Sequence, residues 1–92
     1  MGYTEADAIE RVRVELWASC QDFPLIDLRD WRSTSLGEHL WVVTSTWIDP
    51  LGECWHLEWR AYELGRGKEP ANQATAIFED LVRNWGRSLR LW

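Results

Sequence analysis

The chain has 92 residues, with fifteen acidic against ten basic side chains for a net charge of −5, and eight tryptophans within a hydrophobic fraction of 46%. A chain of this size buries only about two-thirds of its unfolded surface, so a single core and a single domain over residues 1–92 are expected. The longest apolar run, Leu40 to Val43, is far short of the ~20 residues that cross a bilayer.

Thr4-Glu5-Ala6-Asp7 reads as a helix start, with the Thr4 hydroxyl placed to accept the Asp7 amide and acids in the first turn. Ile9, Val12, Leu16 and Cys20 then recur at three- and four-residue steps. Arg11 to Leu16 also alternates as a strand would, and helix is the preferred reading with strand as the alternative. Phe23-Pro24 closes the segment, because the residue before proline is pushed out of the α region. A strand of less regular pattern is expected around Ile26 to Arg32.

The middle of the chain is the clearest passage. Asp49-Pro50-Leu51-Gly52 places Asp, Pro and Gly where a three-residue hairpin loop needs them. If Asp49 faces Glu53, then Trp47 faces Trp55, Ser45 faces Leu57, Val43 faces Trp59 and Trp41 faces Ala61 on one almost wholly apolar face. The other face pairs Ile48 with Cys54, Thr46 with His56, Thr44 with Glu58, Val42 with Arg60 and Leu40 with Tyr62. A slip of one residue would mix the two sets, so turn chemistry and hydrophobic pattern specify the same register. The same rule applied to Ser35-Leu36-Gly37-Glu38 sets Trp31 opposite Trp41, and His39 opposite Glu63 is a cross-strand pair.

Gly65-Arg66-Gly67-Lys68 reads as a flexible link, after which Glu69-Pro70 opens a helix with Pro at its first position. Ala74, Ile77, Phe78, Leu81, Val82 and Trp85 form its apolar stripe, with Thr75, Glu79, Arg83 and Asn84 off it and an end near Gly86. Arg83, Arg87 and Arg90 suit the negative end of the helix dipole. The expected fold is therefore α+β: a three-stranded antiparallel meander with two helices packed on one face, in the order α-β-β-β-α. The apolar sheet face needs that cover, so Trp31, Trp41, Trp47, Trp55 and Trp59 are expected in the core rather than on an aromatic platform for a ligand.

This order, with its Gly-x-Gly link, resembles the double-stranded-RNA-binding domain in topology. In that family lysines at the start of the second helix grip phosphates. The matching stretch, Glu69 to Ala74, has only Lys68 beside it, so no RNA-binding residue is carried over.

Residues 1–38 hold eight acids against four arginines, residues 39–68 four acids against three bases, and residues 69–92 three of each. Acidic chains repel phosphate, so direct nucleic-acid binding is not expected. Met1 to Asp7 lacks the basic and apolar stretches of a secretory leader, and Ala6 stands where a myristoylation motif requires Ser or Thr, which leads to the expectation of a cytoplasmic protein. Cys20 and Cys54 are too few for a disulfide framework and are read as buried thiols. Cys54-x-His56-x-Glu58 is the one pattern with metal or nucleophile potential, and it lacks a third or fourth ligand and a residue to orient the base. No phosphate-loop, dinucleotide, zinc-protease or hydrolase motif is present, and no cofactor is expected.

The expected function is a small non-enzymatic protein-interaction module. The sequence nominates His56, Glu58, Arg60 and Tyr62 on the outer sheet face, Glu10 and Glu15 on the acidic first helix, and Trp92 in the tail as contacts for a partner with a basic surface. Size and charge match phage-borne inhibitors of host nucleoprotein complexes such as anti-CRISPR proteins. The alternatives are a metal or catalytic module using Cys54, His56 and Glu58, and a structural subunit that self-associates through sheet edges or the Leu89 to Trp92 tail.

Overall fold

The computed structural model describes residues 3–19, 28–49, 51–63 and 67–90, of which residues 17, 19 and 84–90 are described in their backbone alone. The elements are α1 (Glu5–Ser19), β1 (Leu28–Gly37), β2 (Leu40–Ile48), β3 (Cys54–Tyr62), β4 (Lys68–Pro70) and α2 (Gln73–Arg90). The strands form one antiparallel sheet in the order β1-β2-β3-β4, with both helices on the same face. This is the expected α+β arrangement with a short fourth strand added.

α1 begins as its sequence specifies. The Asp7 N–H donates to the Thr4 hydroxyl at 3.2 Å, and the Asp7 carboxylate accepts the Thr4 N–H at 2.8 Å, so two otherwise orphaned donors are satisfied reciprocally. The competing strand pattern of Arg11 to Leu16 loses because Ala8, Val12 and Leu16, four apart, fall on one helical stripe and are almost fully buried. Ile9 packs beside them, while Cys20 and Phe23-Pro24 lie outside the described residues.

Every β2–β3 pair derived from the turn is observed, from Leu40 opposite Tyr62 to Ile48 opposite Cys54. Asp49 and Glu53 close the loop through the Asp49 N–H and the Glu53 carbonyl at 2.9 Å, and Gly52 takes a φ of +87° that a side chain would oppose. The β1–β2 register differs from expectation. Its tip is Glu38-His39, His39 adopts a φ of +61°, and Trp41 faces Ser35 instead of Trp31. A bulge between Arg29 and Arg32, with Asp30 at φ +55°, offsets the strand a second time. Trp31 consequently reaches the core face beside Trp59, stacked at 5.8 Å and 21°.

The start of α2 is also corrected. Lys68 to Pro70 is an edge strand on β3, where the missing N–H of Pro70 is tolerated, and the helix starts at Gln73 behind an Asn72 cap. Asn72 Oδ1 accepts the Thr75 N–H at 2.8 Å and the Thr75 hydroxyl hydrogen at 2.6 Å. Thr75 Oγ1 in turn accepts the Glu58 N–H at 2.6 Å, which satisfies the β3 edge just beyond the reach of β4. Thr75, placed off the apolar stripe by periodicity, is fully buried for this reason, and the buried face of α2 runs through Thr75, Phe78 and Val82. Ile77 and Leu81 are left nearly half exposed. The helix continues past Gly86 to Arg90, since a glycine that keeps α-helical backbone does not end a helix.

Trp59 is fully buried between Trp31 and Phe78, whereas Trp31, Trp41, Trp47 and Trp55 are half-buried around the core. No described helix is long and apolar enough to cross a membrane.

Candidate functional site

The alternation that turns Val43, Ser45, Leu57, Trp59 and Ala61 toward the helices turns Leu40, Val42, Thr44, Thr46 and Ile48 of β2 to the opposite face. Cys54, His56, Glu58, Arg60 and Tyr62 of β3 share that face, and no described element covers it. The β1–β2 register continues the rows outward. Arg32, Thr44 and Glu58 stand side by side across three strands, as do Arg29, Thr46 and His56, and Thr34, Val42 and Arg60. Between the rows lies a depression of about 420 Å³ lined by Asp30, Arg32, Thr44, Thr46, His56 and Glu58. Its floor is low because two threonines stand between long charged side chains. The β1 bulge contributes Asp30 to its rim.

On the helix side three carboxylates are each engaged by an indole. Glu63 accepts the Trp41 indole N–H at 3.0 Å and pairs with His39 Nδ1 at 2.5 Å. Asp49 accepts the Trp55 indole N–H at 2.9 Å, and Glu79 accepts that of Trp59 at 2.7 Å while pairing with Lys68 Nζ at 2.5 Å. The Trp41 indole, then His39, holds the Glu63 carboxyl below its usual range. The Trp55 indole, aided by backbone N–H groups of the hairpin loop, does the same for Asp49. Around the depression the opposite holds: among the described residues, the side chains of Asp30, Arg32, Thr44, Thr46, His56 and Glu58 make no hydrogen bond or ion pair within the chain. Farther along the face, Tyr62 donates its hydroxyl to Glu69 at 2.6 Å, and Arg60 lies 3.8 Å from the same carboxylate.

Of the residues nominated from sequence, His56, Glu58, Arg60 and Tyr62 are thus gathered on one surface. Glu10 and Glu15 lie on α1, across the sheet from them. Glu10 is exposed and 3.7 Å from Arg13, and the Glu15 carboxylate rests against Gly67. Trp92 lies outside the described residues. Cys54 is a free, exposed thiol, which corrects the expectation of a buried one: its place opposite Ile48 puts it on the uncovered face. The described residues contain no group of three or more His, Cys, Asp or Glu side chains arranged to hold a metal ion. Lys68, the one lysine near the RNA-gripping position of the resembling family, is held by Glu79 with only 10% of its side chain exposed.

The sequence reading missed Asp30, Arg32, Thr44 and Thr46 as site residues. Thr44 and Thr46 were visible in the derived pairing, opposite Glu58 and His56. Arg32 and Asp30 were not, because a bulge leaves no signature in an alternation already irregular. Comparison with protein-family models, curated proteins and solved structures gives no match.

Proposed function

We propose that this chain is a small non-catalytic protein-interaction module that engages its partner through the uncovered face of the sheet. The observation that supports the reading is the concentration there of polar side chains the fold does not use, beside an Arg and a Tyr of the kind enriched at interfaces. A fold that ties three carboxylates to three indoles has spent polar groups wherever its own packing needs them, so an unspent set in one depression suits an external contact. The test is affinity capture from the native host with the full chain and two variant sets. Arg60→Glu with Tyr62→Ala is expected to abolish capture, and Glu10→Gln with Glu15→Gln to leave it intact; the reverse pattern refutes the sheet face. Cys54→Ala and His56→Ala are expected to leave the fold intact. Loss of a turnover activity in either variant would instead support the metal or catalytic alternative.

The exposed acids of α1, Glu5, Asp7 and Glu10, favour one second reading: an inhibitor of a host nucleoprotein complex, anti-CRISPR-like, in which the helix mimics phosphate toward a basic partner. Binding should then weaken steeply with salt and fail when Glu10 and Glu15 become Gln. An affinity insensitive to salt removes this reading and spares the first.

A further inference from the structure

We propose that the partner taken by the uncovered face is a second copy of this chain, joined sheet to sheet about a two-fold axis running along β2. The inference rests on that face being the interaction surface.

An axis lying in the plane of contact and parallel to β2 keeps each cross-strand row over itself and exchanges the two ends of the row. Adjacent strands are ~4.8 Å apart, so Arg32 and Glu58 stand at similar distances on either side of Thr44. The exchange therefore sets Arg32 of one copy over Glu58 of the other, and Glu58 over Arg32, giving two equivalent ion pairs from side chains that have no partner in their own chain among the described residues. The axis imposes a second condition, because a residue lying on it meets its own copy. Like charges there would repel. The outward side chains of β2 are Leu40, Val42, Thr44, Thr46 and Ile48, and none is charged.

The balance of charge on the face points the same way. Among the described residues, Arg29, Arg32 and Arg60 are matched there by Asp30, Glu58 and Glu69, so these groups leave no net charge to oppose self-contact. The area is sufficient for a reversible dimer. Strands of nine or ten residues in β1, β2 and β3 give a face of ~30 by ~14 Å, on the order of 1,000 Å² for two copies once side-chain relief is counted, at the low end of specific interfaces. The two threonine-floored depressions meet across the axis as a hydrated pocket closed by the charged rims.

Sedimentation velocity of the full chain is expected to show a concentration-dependent dimer in roughly the micromolar range. Arg32→Glu and Glu58→Arg each place like charges in both pairs and are each expected to weaken the dimer at least about tenfold. An equimolar mixture of the two variants restores opposite charges in both pairs, and the mixed dimer should return. A Glu10→Arg control on α1 should dimerise as the parent does, and near-UV circular dichroism of the tryptophans checks that each variant is folded. A chain that stays monomeric to about 0.5 mM, or folded variants whose mixture stays monomeric, overturns the proposal. In that event, loss of partner capture by Arg60→Glu with Tyr62→Ala shows that the face binds another protein, and retained capture removes the face as an interaction surface altogether.

Discussion

Replacing Glu79 by alanine tests the least expected contact of the core. The Glu79 carboxylate joins α2 to two strands at once, through the Trp59 indole N–H at 2.7 Å and Lys68 Nζ at 2.5 Å, and only 10% of either charged side chain is exposed. Removing one member of a buried pair costs about 3–5 kcal/mol because the other charge stays behind, and an orphaned indole N–H adds about 1–3 kcal/mol. The remaining exposure lets the Lys68 stem carry its ammonium toward water, which brings the expected loss for Glu79→Ala to about 3–4 kcal/mol, a large part of the 5–15 kcal/mol typical of a whole domain. Glu79→Gln retains an oxygen for Trp59 and should lose about 2 kcal/mol. Lys68→Met combined with Glu79→Leu leaves no buried charge and should lose only about 1–2 kcal/mol, less than the single alanine variant. Urea unfolding followed by tryptophan fluorescence, with the denaturant slope unchanged, measures all three. A Glu79→Ala protein within about 1 kcal/mol of the parent, or a double variant as unstable as the alanine one, refutes the reasoning.

Three further outcomes are expected. Thr75→Val keeps the shape of the side chain but strands the buried Glu58 N–H, and Asn72→Ala removes the cap that orients Thr75; urea unfolding should show losses of about 1–3 and 1–2 kcal/mol respectively. Asp49 and Glu63 have folded-state affinities for protons below their ordinary ones, so the unfolded chain binds more protons in acid; their stabilisation is full above the ordinary values of 3.8 and 4.5, from about pH 5 upward, and is lost as pH falls through the lowered folded values. Trp55→Phe and Trp41→Phe should therefore each flatten the acid limb of the stability profile, and an unchanged limb in both would contradict the indole bonds. Gly67→Ala should lower Tm more than Gly37→Ala: both residues have positive φ, but only at Gly67 would a Cβ strike the Glu15 carboxylate.

How far the fold could be read in the sequence depended on how local its determinants are. The β2–β3 hairpin was legible because Asp49 and Gly52 fix a tight turn and the alternation on either side agrees with only one pairing. The β1–β2 register was not. Its tip lies at Glu38-His39, with a left-handed histidine that composition does not announce, and the Asp30 bulge compounds the offset. β4 escaped notice because three residues ending in Pro70 look like a helix opening, and what makes them a strand is the free edge of β3, supplied from elsewhere in the chain. Glu79 and Thr75 follow the same logic, since their burial is decided by Trp59, Lys68 and the Glu58 N–H. The site was half visible for the same cause: its β3 residues came with the hairpin, and its β1 residues were hidden with the bulge.

The contacts of α1 also bear on the order in which the chain assembles. Residues 40–62 can close their ladder alone around a three-residue loop, but Ala8, Val12 and Leu16 have nothing to rest on until the sheet exists, since α1 touches all four strands. On the ribosome α1 is made before the strands and must wait for its seat, leaving an apolar stripe uncovered until Val43, Leu57, Trp59 and Ala61 have been made.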